Sequence, residues 1–183
     1  MKTISDWLFE KSRGWLVLCA LLIFLLFGFF VLPGQSAAAQ AYSAERGTPD
    51  ISFFYRPDDL IGMAESYGAD GRQAYVQARF TFDLVFPLVF TFFLVSANSW
   101  LLKRGLPPAS SWRRLNLIPL GGMLADYLEN ISAALVIGRY PQPAPLFTTL
   151  APVFTLLKWL LVGASFLLLI PAVVLFLKNQ KNR

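Results

Sequence analysis

Histidine is absent from this 183-residue chain, and cysteine occurs once, as Cys19 inside an apolar run. The first absence removes imidazole acid–base catalysis, Ser-His triads and most zinc or haem ligation. The second removes any intrachain disulfide and any dithiol redox chemistry. Charge is scarce too, at 15% of residues against 56% hydrophobic and 15% aromatic. There is no Walker loop, dinucleotide-binding glycine fingerprint or zinc-ligand spacing. No cofactor is therefore expected. The net charge of +5 would suggest nucleic acid in a soluble protein. Here the basic residues flank apolar segments, which is a topology signal, and no nucleic-acid partner is expected.

What the sequence has is long hydrophobic runs. Residues 15–32, 75–102, 115–138 and 146–177 each reach the roughly 20-residue length that spans a hydrocarbon core. The expected fold is all-α: one membrane-embedded four-helix bundle covering residues 1–183, with the lipid bilayer as its solvent. Lys2, Lys11 and Arg13 precede the first run. Lys103, Arg104, Arg113 and Arg114 lie between the second and third with no acid, and Lys178, Lys181 and Arg183 form the tail. The other two loops mix Arg46, Arg56, Arg72 and Arg139 with Glu45, Asp50, Asp58, Asp59, Glu65 and Asp70. This bias places both termini in the cytoplasm of a plasma (inner) membrane. The first run also resembles a secretory signal, with small residues at 36–41. Its apolar stretch is longer than a typical signal core, so an uncleaved anchor is expected, with cleavage as the alternative.

The first outer loop, residues 33–74, is the one sizeable soluble segment. Its first part, through Thr48-Pro49, is small and polar and reads as mobile. Pro57 with Asp58 and Asp59 looks like a helix start. Leu60, Ile61, Met63, Ala64 and Tyr67 follow at helical spacing, and Gly68 is a stop. A short amphipathic helix is expected there, packed on the bundle or serving as a lid or lipid-surface helix.

Asp126, Glu129 and Asn130 interrupt the third run. Their spacing puts all three side chains on one helical face, which continues through Gly122, Met123 and Ala133. An acid at the centre of a membrane helix costs roughly 2.5–3.5 kcal/mol, so these residues read as a functional polar site or an inter-helix glue. At 1.5 Å per residue, Asp126 lies about 18 Å and Glu129 about 22 Å from Arg114. Asp83 lies about 30 Å from Lys103, and Lys158 about 30 Å from Lys178. All four belong to the half of the bundle beneath the loop. Asp83 reads either as a site residue or as an interfacial acid, solvated or paired with Arg79, its i−4 neighbour. Lys158 reads either as the partner of the acids or as a snorkelling lysine beside Trp159. Asp83, Asp126 and Glu129 outnumber Arg79 and Lys158, so a proton or a bound cation must balance the excess. Pro87, Pro119, Pro152 and Pro171 kink helices and free carbonyls.

Phe82-Asp83-Leu84-Val85-Phe86-Pro87, Asp126-Tyr127-Leu128-Glu129-Asn130, Tyr140-Pro141 and Lys158-Trp159 together resemble an uncharacterised family of bacterial four-helix membrane proteins. The likeness runs from about Tyr55 to Trp159 and implies a shared fold but no activity. The layout is also similar to that of the EXPERA group, which includes emopamil-binding proteins and sigma-2 receptors. The shared features are four crossings, a long first outer loop and an acidic-aromatic-proline run, here Asp83 to Pro87. That resemblance implies an acid-containing cavity for an amphiphile. Asp126 to Asn130 has no counterpart in that group.

The expected function is binding of a small amphiphile, lipid or cation in an outward-facing intramembrane acidic pocket, or service as an accessory subunit of a larger membrane complex. Asp83, Asp126, Glu129, Asn130 and Lys158 are the candidate residues, with no metal. The alternative is a membrane enzyme using Glu129 or Asp126 for acid–base chemistry on a lipid-like substrate. The orientation is open to test in a Cys19→Ser background. Ser52→Cys or Ser66→Cys should react with a membrane-impermeant thiol reagent in intact cells, and Ser110→Cys only after permeabilisation. The reverse labelling pattern would overturn the assigned topology.

Overall fold

Thr3 starts the first helix, α1 (Ile4–Lys11), through a reciprocal cap. Its hydroxyl accepts from the Asp6 amide at 3.2 Å while the Asp6 carboxylate accepts from the Thr3 amide at 3.1 Å. The Thr3 hydroxyl, and then its amide, hold the Asp6 carboxyl below its ordinary range. This and the following elements come from a computed structural model that describes residues 3–43 and 46–181. Lys2, Glu45 and Arg183, counted above in the charge bias, lie outside the described residues.

After α1 the chain runs through α2 (Gly14–Leu26), a π-helical turn (Phe27–Val31) and α3 (Leu32–Ser43). Next come α4 (Pro57–Ser66), α5 (Gly68–Arg79), α6 (Phe82–Gly105), α7 (Ile118–Arg139), α8 (Pro145–Leu167) and α9 (Leu169–Lys181). No strand occurs among the described residues. Four stretches are long and apolar enough to cross a membrane: Gly14–Ser43, Gly68–Gly105, Ser111–Arg139 and Pro145–Lys181. The protein is thus all-helical with four long apolar helices. α6 sits against α2, α7 and α9, and α7 packs along α8. Large apolar side chains remain on the outside, Phe29 being 75% and Phe30 70% exposed.

The helices meet in three apolar layers. Phe9 of α1 joins Leu101, Leu102 and Ala172 at one end, and Ala20, Phe90, Phe93 and Leu94 fill the middle. Tyr55, Leu60, Met63, Ala64, Tyr67, Tyr75, Val136 and Ile137 close the other end. α1 is tied down by polar contacts: Ser5 donates to Asn116 Oδ1 at 2.8 Å, Asn116 to Ser99 Oγ at 3.1 Å, and Lys103 to the Phe9 carbonyl at 2.8 Å.

Several boundaries differ from those expected. Residues 33–43, read as mobile loop, are helical, because the run Ala37-Ala38-Ala39-Gln40-Ala41 has the strongest helix preference available and outweighs its small, polar look. The second crossing is not one helix. It starts at Gly68, whose φ of 66° favours glycine, and breaks at Phe80-Thr81 before resuming as α6. The Thr81 hydroxyl donates to the Gln77 carbonyl at 2.8 Å, capping an acceptor the break leaves open. Residues 115–117 of the third run belong to a 3₁₀ turn (Ser111–Leu117) ahead of α7. The fourth run divides at Leu168, where Pro171 has no amide to offer the Leu167 carbonyl. Pro57–Ser66 is helical and buries Leu60, Met63 and Ala64 against α7 and α8.

Glycine sets the α7–α8 approach. A Cβ on Gly122 would stand 2.9 Å from Val162 Cγ2, whereas one on Gly163 would meet nothing within 4 Å. Gly122→Leu should therefore destabilise the protein by roughly 1–3 kcal/mol through overpacking. Gly163→Ala should be neutral or stabilising by up to about 1 kcal/mol. Thermal unfolding in a mild detergent separates the two.

Candidate functional site

The break at Phe80-Thr81 places Arg79 and Asp83 on successive turns either side of it, and Arg79 Nη2 reaches Asp83 Oδ2 at 2.9 Å. Arg79 Nη1 also pairs with Asp50 from the 46–56 segment. The guanidinium lies over the Tyr75 ring, 4.5 Å from its centroid, which supports the cation on its remaining face. Arg79 is 5% exposed. Asp83 is thus buried and paired with Arg79, its i−4 neighbour, rather than solvated.

A second ion pair lies deeper. Lys158 of α8 turns inward, pairing with Glu129 and standing 3.7 Å from Asp126 Oδ1. It does not reach for the interface, although its Nζ keeps 5.5 Å to the Trp159 ring centroid. Glu129 is fully buried. Its other oxygen, Oε1, accepts from the Thr155 hydroxyl at 2.8 Å, and Thr155 Oγ1 is 3.1 Å from the Tyr55 hydroxyl. With its one proton given to the carboxylate, Thr155 accepts from the phenol. Burial, and then the nearby Glu129, push the Tyr55 phenol well above its ordinary range, so it stays a neutral donor.

Asn130 joins the two pairs. Its carbonyl oxygen accepts from Arg79 Nη1 at 3.4 Å, and its amide nitrogen donates to Asp126 Oδ1 at 3.2 Å. An amide suits this place because it turns an acceptor to the cation and a donor to the acid. The face predicted on α7 is the inward one, with Gly122 and Ala133 buried and Met123 partly so, and Leu124 is exposed.

The result is a chain of polar contacts running Asp50, Arg79, Asn130, Asp126, Lys158, Glu129, Thr155, Tyr55. Both ends lie in the 46–56 segment, so that segment closes a ring over the buried charges. Two further bonds hold it: Trp159 Nε1 donates to the Ser52 carbonyl at 3.0 Å, and the Tyr67 hydroxyl to the Gly47 carbonyl at 2.7 Å. The structure brings together all five predicted residues, Asp83, Asp126, Glu129, Asn130 and Lys158. Sequence reasoning missed Asp50 and Tyr55, which come from a loop with no periodic signal and reach their partners across 29 and 100 residues.

A cavity lies beside this network. A space of about 470 Å³ lies between α3 on one side and α5 and α6 on the other, with Asp50, Arg79 and Asp83 on its wall. Asp126, Glu129, Asn130 and Lys158 do not line it; they are packed shut behind it. Leu32, Ile51 and Phe82 supply an apolar side, and Gln35, Gln40 and Gln77 a polar one. Among the described residues, no set of three or more acidic, cysteine or histidine side chains converges to hold a metal ion.

Comparison with known protein families, with characterised proteins and with solved structures gives no match for this chain. The site has to be read from its own geometry.

The Lys158 pairing is open to a double-mutant cycle. Lys158→Met strands Glu129 and should cost about 3–5 kcal/mol. Adding Asp126→Asn should recover part of that loss, since fewer negative charges remain unbalanced. Strictly additive effects in thermal unfolding would show that Lys158 and Asp126 do not interact.

Proposed function

We propose that the protein is a multi-pass plasma-membrane protein, both termini cytoplasmic, that binds a small amphiphile through a cationic group in the cavity beside Arg79 and Asp83. The observation that carries this is the charge on the cavity wall. Asp50 and Asp83 face one cation, Arg79, which is shared between them. The wall therefore holds a surplus negative charge in a setting poor in water, where an opposite charge is strongly favoured. Leu32, Ile51 and Phe82 complete an apolar side, which suits an amphiphile better than a bare ion.

The membrane setting is supported by the four long apolar helices and by phenylalanines turned outward, an arrangement water disfavours and lipid accepts. The basic flanks support the orientation. On it, the 46–56 segment and α4 lie on the outer face, and α4 packs as part of the bundle top. The cavity then opens toward the outer leaflet. Binding is favoured over catalysis because Asp126 and Glu129, the acids best placed for proton transfer, do not reach the cavity. Asp83, which does, is committed to Arg79.

Dodecyltrimethylammonium, added to the protein in a dodecyl maltoside background, tests this reading. Thermal stability should rise with the logarithm of the ligand concentration, by about 2.7 kcal/mol at a hundredfold excess over Kd. Ala39→Trp, which fills the cavity from α3, and Asp83→Asn, which removes its surplus charge, should each abolish the rise. An equal rise in both variants would mean that the cation binds elsewhere.

A further inference from the structure

A second groove, of about 330 Å³, lies at the opposite end of the bundle from the cavity, between α1 and α2 on one side and α6 and α7 on the other. On α6 its wall is Leu88, Thr91, Phe92, Val95, Ser96 and Ser99, a single face at three- and four-residue spacing. That stretch covers about 16 Å of helix axis, half of a hydrocarbon core roughly 30 Å thick. Small hydroxyl residues stand where leucines would fill the trough, so the face is concave. Lys11 is the one ionisable residue on its wall among the described residues, and it has no ion-pair partner among them. It sits at the α1 end, beside Trp7, which is 53% exposed. Of the two acids of α1, Asp6 turns to a different pocket with Arg113 and Arg114, and Glu10 does not line the groove.

We propose that this groove seats one acyl chain of an anionic phospholipid, with the phosphate beside Lys11 and the tail running along α6 as far as Leu88. The length matches a single leaflet. A lone cation at the interface end selects the headgroup, and an adjacent tryptophan suits the glycerol level. The inference rests on the membrane-spanning reading but not on the cavity at Asp83, so either can fail without the other.

The test uses the full chain, extracted in mild detergent from vesicles of equal parts phosphatidylglycerol and phosphatidylcholine with identical chains, and native mass spectrometry. One phosphatidylglycerol per protein should be retained, at about fivefold preference over phosphatidylcholine, the worth of one lysine beside an anionic surface. Lys11→Gln should bring that preference to near one. Ser96→Phe, with Met123→Trp as a second variant filling the groove from α7, should lose both lipids. Thr91→Val, which keeps the volume and removes only a hydroxyl, should retain them. The proposal is overturned if the native chain keeps no lipid or keeps both equally, if Lys11→Gln preserves the preference, if either filled variant that still folds binds as before, or if Thr91→Val loses the lipid.

Discussion

Two buried cations shared among four carboxylates set the terms for one end of this protein. Arg79 and Lys158 cannot leave their acids without stranding charge in a medium that solvates it poorly. Four acids against two cations leave a surplus of negative formal charge at this end. The surrounding parts follow from this constraint. Asn130 links the pairs because its amide offers a donor to Asp126 and an acceptor to Arg79, the Tyr75 ring backs Arg79, and Thr155 occupies the second oxygen of Glu129. The partners in this network come from α5, α6, α7, α8 and a loop together, while Arg79 Nε and the Tyr75 hydroxyl are buried without a hydrogen-bond partner among the described residues.

The interruptions in the helices belong to the same arrangement. Arg79 and Asp83 meet across the break at Phe80-Thr81, and Asp50 grips the same guanidinium from the 46–56 segment. The π-helical turn at Phe27–Val31 adds a residue to the helical repeat before α3 and brings the alanine-rich face of α3 over the cavity. Phe27 stacks on Phe82 and Phe86 there, both at 5.6 Å between centroids, so the distortion is packed in place.

Much of this was legible in the residues. Hydrophobic runs fixed where the long helices lie, and the i, i+3, i+4 spacing of Asp126, Glu129 and Asn130 put them on one face. Lys158 and Asp83 stood out because ionisable residues in apolar runs are costly. The small, polar composition of residues 33–43 points to a loop, and alanine's backbone preference overrides it. Asp50 and Tyr55 were invisible as site residues: nothing local distinguishes Asp50 from the other loop acids, and its role exists only after the chain folds back on α5. The cavity could not be read either, since its position depends on how α3 leans after the π turn.

The brevity of the connection between α7 and α8 has a consequence for how the protein enters a membrane. Tyr140 to Ala144 is all that separates the two helices, and the contact between Glu129 and Lys158 spans that hairpin. Inserted singly, α7 would carry two carboxyls into hydrocarbon with no counter-charge. Inserted with α8 as a hairpin, it carries its own neutralising lysine, and the insertion machinery meets a less polar unit. On charge grounds, pairwise release of α7 and α8 into lipid is thereby favoured over helix-by-helix release.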